Sequence, residues 1–349
     1  MSLKKPILLL FWLLLTPVVS AANDGFGGLT ATGLQFQQSA SVRMVSEDLF
    51  LSSSQVRVAY VFRNDGPAEA QGEVIFPLPP ISLAGLAESG FALTEESLHR
   101  ENVVDFTATV NGKKIEVRTE RIAILEPPYD ERRQPAANYD APGEDVTALL
   151  KGYGIPLSLN VDEVAAVLTR LPPAARETLK AKGLADFFDG EPPLPAWSII
   201  VRYHWPQTFA AGREIRIEHS YNPAPPGGIF VWPAQEKDAD TYHRELIQTY
   251  CIDAGTRKAL AKRLHHQRTS EMAGTGTAIL LDYVLTTAST WHGPIGVFRL
   301  TIDKGMPSNI LSLCIDGLRK TGPTTFAVEK KDFNPTRDLR LLIVSGLEE

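Results

Sequence analysis

The sequence predicts a mainly β protein of the α+β class: an N-terminal β-sandwich carrying a helical insert, followed by a smaller β-rich domain with one helix. Three observations predict it. Short runs of alternating apolar and polar residues recur along the chain, from residues 56–62 to residues 339–344, and period-two alternation is the mark of half-buried strands. Turn clusters separate the runs, among them Asn64-Asp65-Gly66-Pro67, Asn111-Gly112 and Gly322-Pro323. Helical signals are confined to an insert at about residues 145–190 and one later segment at 254–267, and no βαβ repeat or solenoid repeat occurs. A doubly wound nucleotide-binding fold is therefore excluded.

Lys4 and Lys5 precede an apolar run at 7–15, which Thr16 and Pro17 break before the small residues Ser20, Ala21 and Ala22. This order is that of a cleavable secretory signal over residues 1–22, cut after Ala21 or Ala22. The run is too short to span a bilayer, and no Cys follows it for lipid attachment. The expectation is an exported protein, periplasmic or secreted, with no transmembrane anchor after cleavage and about 327 residues in two domains, 23–235 and 236–349. Such a compartment supplies no steady ATP or nicotinamide, so no cofactor is expected.

Val56, Val58, Tyr60 and Phe62 share one face of the first clear strand, and Arg57, Ala59, Val61 and Arg63 share the other. A second strand at 70–76 stops at Pro77-Leu78-Pro79-Pro80. A third starts near Val104 and turns at Asn111-Gly112 into a run at 114–124, the pattern of a hairpin. Residues 126–144, rich in Pro, Asp and Arg, read as an exposed loop. In the insert, Asp145 caps a short helix through Leu150, Asn160 with Glu163 forms a capping pair for a helix through Arg170, and Pro172-Pro173 opens a third. Strands resume with Trp197, Ile199, Val201, Tyr203 and Trp205 on one face. Ile215, Ile217, His219 and Tyr221 follow, and these two runs are expected to form another hairpin. The polar segment 235–248 marks the domain boundary. Beyond it Asp253 caps a helix over 254–267, and strands follow at 278–286, 297–303, 309–315, 325–331 and 339–344.

The formal charge is −6. It falls to about −8 once Lys4 and Lys5 are removed, which excludes the basic footprint of a general nucleic-acid binder. Only two cysteines occur, Cys251 and Cys314. In an oxidising compartment they are expected to form one disulfide, worth about 4 kcal/mol on the chain-entropy model. Without a CxxC pair, thiol–disulfide exchange is not expected.

No catalytic, cofactor-binding or metal-binding residues are assigned. There is no HExxH, and the adjacent His265 and His266 belong to a solvated basic helix with Lys258, Lys262 and Arg263. GxSxG is absent. Gly274-Thr-Gly-Thr277 lacks the Lys of a phosphate loop and reads as a flexible loop. Glu47-Asp48, just before a strand, and Glu95-Glu96, in a loop, are poor carboxylate dyads, because neighbours on an extended chain face opposite ways. Trp197 and Trp205 are expected in the core. Trp291, in the turn Thr290-Trp-His-Gly-Pro, is the candidate for a surface contact together with His292, loop packing being the alternative.

Several segments resemble a bacterial exported family known as domain of unknown function 4424. They are SEDLF at 46–50, VRVAYVFRN at 56–64, FPLP at 76–79, VNGK at 110–113, WPQTF at 205–209, WHGPIG at 291–296 and RKTGPTTF at 319–326. The resemblance implies a two-part exported protein and brings no activity with it. More remotely, the F-x-N strand end, FPLP and the run TVNGKKI resemble the VIT domain, the N-terminal sandwich of inter-alpha-trypsin inhibitor heavy chains. The insert at about 155–190 departs from that pattern, and no D-x-S-x-S metal motif accompanies it. The sequence leans away from an enzyme and towards an interaction or structural module of the bacterial envelope, with an envelope protein or glycan as partner. The alternatives are an envelope hydrolase acting on glycan or peptide, which needs a cleft of convergent ionisable groups, and a periplasmic small-ligand binder, which needs an enclosed pocket.

Overall fold

The computed structural model describes residues 24–30, 33–88, 93–128, 143–266 and 273–346; the signal segment 1–22 and residues 129–142 of the loop expected at 126–144 lie outside them. Strands form where the alternation is. β1 (Gly25–Thr30) and β2 (Gly33–Phe36) precede the long antiparallel pair β3 (Val42–Ser52) and β4 (Val56–Asn64), in which buried and open residues alternate. Asn64, fully buried, closes the next turn: its Nδ2 donates to the carbonyls of Ala68 and Phe209, and its Oδ1 accepts from the Gly66 N–H. β5 (Ala70–Pro77) and β6 (Ile81–Ser82) lead to the short helices α1 (Leu83–Glu88) and α2 (Glu95–His99). Then come β7 (Thr107–Val110), β8 (Lys113–Lys114), β9 (Arg118–Leu125) and β10 (Glu144–Asp145).

The insert is α3 (Thr147–Gly152), α4 (Val161–Arg170) and α5 (Pro173–Ala181), followed by the small ladder of β11 (Ala185–Asp186) and β12 (Leu194–Pro195). Asn160 caps α4 as expected, its Oδ1 accepting from the Glu163 N–H at 2.9 Å, whereas Asp145 Oδ1 takes the Thr147 N–H and lies in β10, just outside α3. The remaining elements are β13 (Ser198–Phe209), β14 (Glu214–Tyr221), β15 (Gly227–Val231), α6 (Thr241–Thr249), α7 (Ala254–Leu264), β16 (Thr275–Tyr283), β17 (Ile295–Asp303), β18 (Ile310–Leu313), β19 (Arg319–Lys320), β20 (Thr325–Phe333) and β21 (Leu339–Ser345).

Three main sheets result. The first has eight strands in the order β19-β20-β17-β3-β4-β14-β7-β8; the second runs β10-β9-β13-β5-β1-β2, with β6 also on β13; the third is β15-β16-β21-β18. The first two share one large core, in which Phe106 of the first side stacks on Tyr203 of the second at 4.4 Å between ring centres. Strands from both sides of residue 235 build the first sheet: β17 lies parallel to β3, Leu300 opposite Leu49 and Ile302 opposite Leu51. The third sheet packs one face on α6 and α7 through Phe230, Trp232, Tyr250, Leu260 and Leu264. Its other face adds Leu281, Tyr283, Leu339 and Leu341 to the large core. Among the described residues no helix is long and apolar enough to cross a membrane.

The mainly β class holds, with several local corrections. β13 and β14 do not pair with each other. β13 pairs with β9 and β5, β14 with β4 and β7, and the chain passes between sheets through Gly212 at φ +65°. The reason is visible in burial: residues 198–205 of β13 are buried on both faces, as a central strand between two covered layers must be, while β14 alternates. After the Asn111-Gly112 turn only Lys113–Lys114 pairs back on β7, before the chain crosses to β9 in the second sheet. Residues 241–249 form the additional helix α6, capped by Asp240 Oδ1 accepting from the His243 N–H. Glu95-Glu96 opens helix α2 behind the Thr94 cap, Glu47-Asp48 lies inside β3, and β16 begins at Thr275, within the expected flexible loop.

Candidate functional site

The eight-stranded sheet has one face in the core and one in solvent, so neighbouring residues on each strand belong to two different environments. On the solvent face the register lines up Glu329, Arg299, Asp48, Ala59, Glu218 and Thr109 from β20 to β7. The adjacent rung carries Thr301, Phe50, Arg57, Ser220 and Thr107. From Arg299 and Thr301 across to Thr109 and Thr107, these two rungs line a groove of about 570 Å³. Its floor is Ala59, whose methyl group lies between the longer Asp48 and Glu218 and so leaves a hollow.

The charges of the groove are arranged in pairs. Arg299 reaches Glu329 at 2.9 Å and Asp48 at 3.2 Å, and the bonds to Glu329 and then Asp48 raise its pKa further. Arg216 holds Glu218 at 2.6 Å, and Thr109 Oγ1 donates to the other oxygen of Glu218 at 3.4 Å. The hydroxyls of Thr107 and Ser220 lie 3.2 Å apart. Arg57 lies over the ring of Phe50, 4.4 Å from its centre, a cation–π placement.

Directly beneath, the same strands turn a second polar set inward. Glu47 and Tyr60, opposite one another on β3 and β4, and His219 of β14 meet Asp24 and Tyr283 in the core. His219 Nε2 lies 3.4 Å from Asp24 Oδ1, the Tyr60 and Tyr283 hydroxyls are 3.1 Å apart, and Tyr283 donates to Glu47 Oε1 at 3.5 Å. Asp24, Glu47 and Tyr60 are 0% exposed, Tyr283 1% and His219 3%. Burial pushes the Asp24 carboxyl above the usual carboxylate range, against the opposing effect of His219. Burial likewise drives both phenols far above their ordinary range; the Tyr60–Tyr283 contact adds to the rise for Tyr60, and the charge of Glu47 adds to it for Tyr283. Ionisable groups converge here, but behind a closed sheet and under the aromatic rings of Phe76 and Phe106. The set links β3, β4 and β14 of the first sheet to Asp24 before β1 and to Tyr283 of the third sheet, and all five side chains are buried. The set as a whole was not expected from the sequence. Its signal was Glu47 and His219 at positions where the alternation calls for apolar side chains.

A second, smaller hollow of about 290 Å³ lies between β15 and α6, bordered by Ile229, Tyr242, Leu246 and Tyr250. Ile229 is 82% exposed beside it on the edge strand of the third sheet.

Trp291 is not at the surface. It is 1% exposed, its ring sits 4.3 Å from that of Phe62 and 5.5 Å from that of Phe26, and its Nε1 donates to the Asp24 carbonyl. The contact expected of it gives way to packing because the turn folds back over the end of β4. His292 is exposed beside it and donates its backbone N–H to Val42. Trp197 and Trp205 are buried. Cys251 and Cys314 are joined, with their Cα atoms 5.1 Å apart. His265 follows the end of α7 and donates through Nε2 to the Trp232 carbonyl at 2.8 Å, whereas His266 is exposed.

The family model described as Domain of unknown function (DUF4424) matches residues 22–342 of the chain. No curated protein matches it. Among solved structures it is similar to the crystal structure of a "putative nutrient binding protein" from Legionella pneumophila, at 16% sequence identity and a TM-score of 0.43. That similarity covers 93% of this chain and 73% of the other.

Proposed function

We propose that this chain, which belongs to the DUF4424 family, is a non-catalytic binding module of the bacterial envelope that receives a polar ligand in the groove over Ala59. The groove is the observation that carries this reading. About 570 Å³ is within the size of small-molecule sites, and its walls present hydroxyls and charged groups on a rigid sheet. A hydrolase finds less support: the open carboxylates, Asp48 and Glu218, are each tied to an arginine, and the convergent ionisable set is enclosed. Export is part of the proposal. It is supported by the signal pattern over 1–22 and by a disulfide, which persists in oxidising compartments.

The groove reading is tested with Ala59→Trp, which fills the hollow from its floor. Thermal shift of the folded chain against a panel of envelope saccharides, sugar acids and amino acids should find a stabilising ligand, since anything bound only by the native state raises the melting temperature. Ala59→Trp should abolish that shift while the circular dichroism spectrum is kept. Turnover of the bound compound would sink the non-catalytic reading. Fractionation with N-terminal sequencing checks export: a mature chain outside the cytoplasm should begin at Ala22 or Asn23.

A further inference from the structure

Resting on the groove reading above, we infer that the ligand is a hydroxylated monocarboxylate, a sugar acid in chemical class, with its carboxylate on Arg57 and its hydroxyls along Thr107, Ser220 and Thr301. The groove acids are already engaged, Asp48 by Arg299 and Glu218 by Arg216. Arg57 lines the same groove, is exposed, and has no carboxylate partner among the described residues. Its guanidinium is held over Phe50, which leaves the edge of the planar fork free and limits its motion. A fork so placed matches a carboxylate through two parallel N–H···O bonds.

The rung that carries Arg57 also carries Ser220 and Thr107 on one side and, beyond Phe50, Thr301 on the other. Hydroxyls donate and accept, as the hydroxyls of a saccharide require. A doubly charged phosphate fits worse, because Asp48 and Glu218 border the hollow on both sides of Ala59 and like charges repel. One exposed guanidinium without a carboxylate partner among the described residues, on the rung next to those acids, suits a single negative charge.

The test is calorimetric titration of the full disulfide-bonded chain with sodium glucuronate, glucose, acetate and inorganic phosphate. Glucuronate should bind, glucose and acetate should each bind at least about tenfold more weakly, and affinity should fall with added salt. Arg57→Gln should weaken glucuronate at least about tenfold, the discrimination of one charge-assisted bidentate contact. Arg57→Lys should restore only part of it, and circular dichroism should show both variants folded. Failure of glucuronate to bind the unaltered chain overturns the proposal. So does phosphate binding more tightly than glucuronate. Glucose binding that Ala59→Trp abolishes and Arg57→Gln leaves alone overturns the anion assignment and leaves the groove reading standing. Glucuronate binding indifferent to Ala59→Trp overturns both.

Discussion

Asp24 is the residue on which the core depends most unusually. It is a carboxylate at 0% exposure, and burial raises its folded pKa above 3.8. The native state therefore holds that proton more tightly than the unfolded chain does. Between pH 3.8 and the folded value, rising pH costs stability through Asp24, and falling pH restores it. Asp65, Asp240 and Asp253 act in the opposite sense. Their pKa values are lowered, first by the Arg43 hydrogen bond, by the His243 N–H and by the Thr256 N–H respectively, so their contribution is lost as pH falls. In Asp24→Asn the melting temperature relative to the unaltered chain should improve as pH rises out of the acid range, and the gain should vanish below pH 3.8. A difference independent of pH from 3 to 8 would show that Asp24 does not titrate as described. The alternation on β14 already placed His219 inward, so part of this cluster was legible. Asp24 was not, since it precedes the first patterned strand and its contacts His219 and Trp291 lie 195 and 267 residues away in the chain.

At the scale of elements, the disulfide is the clearest case. Cys251 follows α6, Cys314 follows β18, and 63 residues separate them, so closing that loop removes about 4 kcal/mol of unfolded-state entropy. Cys251 also adopts φ +51°, a left-handed conformation that costs an L residue about 1 kcal/mol or more. Replacing both cysteines by Ser should destabilise the chain by about 2–4 kcal/mol in chemical denaturation. The pair Cys251→Gly with Cys314→Ser should recover about 1 kcal/mol of that loss by relieving the backbone. Equal stability of the two double variants would contradict the strain at this position. The two partners were legible because the chain has only two cysteines. Helix α6 was not, because its nine residues TYHRELIQT carry few apolar groups and the cap at Asp240 is a weak local signal without the sheet it packs on.

The whole molecule is bound together by the first sheet. β17 and β20 extend it from β3, and Tyr283, Trp291, Phe298, Leu300 and Ile302 stand in the same core as Val58, Tyr60 and Phe62. A fragment ending at residue 235 would lose those five side chains and leave β3 as a bare edge. Burial of such side chains is worth about 1.5–3 kcal/mol each, comparable in sum with the whole stability of a domain, and an open apolar edge invites association. The fragment should show no dispersed amide spectrum and should aggregate, whereas the full chain should unfold with the first sheet as one cooperative unit. A well-dispersed spectrum and a cooperative melt for the fragment would refute this.

The amino-acid sequence by itself determined many of the longer strands and which of their faces is apolar, which cysteines pair, and, through motifs such as VRVAYVFRN, the family, but not short strands such as β1, β2 and β15. Those properties are local or are matters of composition: alternation states that a face is buried, and two cysteines leave one pairing. Only the tertiary structure decided that β13 and β14 lie in different sheets, that β17 seats itself beside β3, that Trp291 turns inward, and that Arg57, Ala59 and Glu218 border one groove. Period two specifies a face but not a partner. The choice among partners is made by packing between segments far apart in the chain, and it is that choice which brings the groove and the buried cluster beneath it into being.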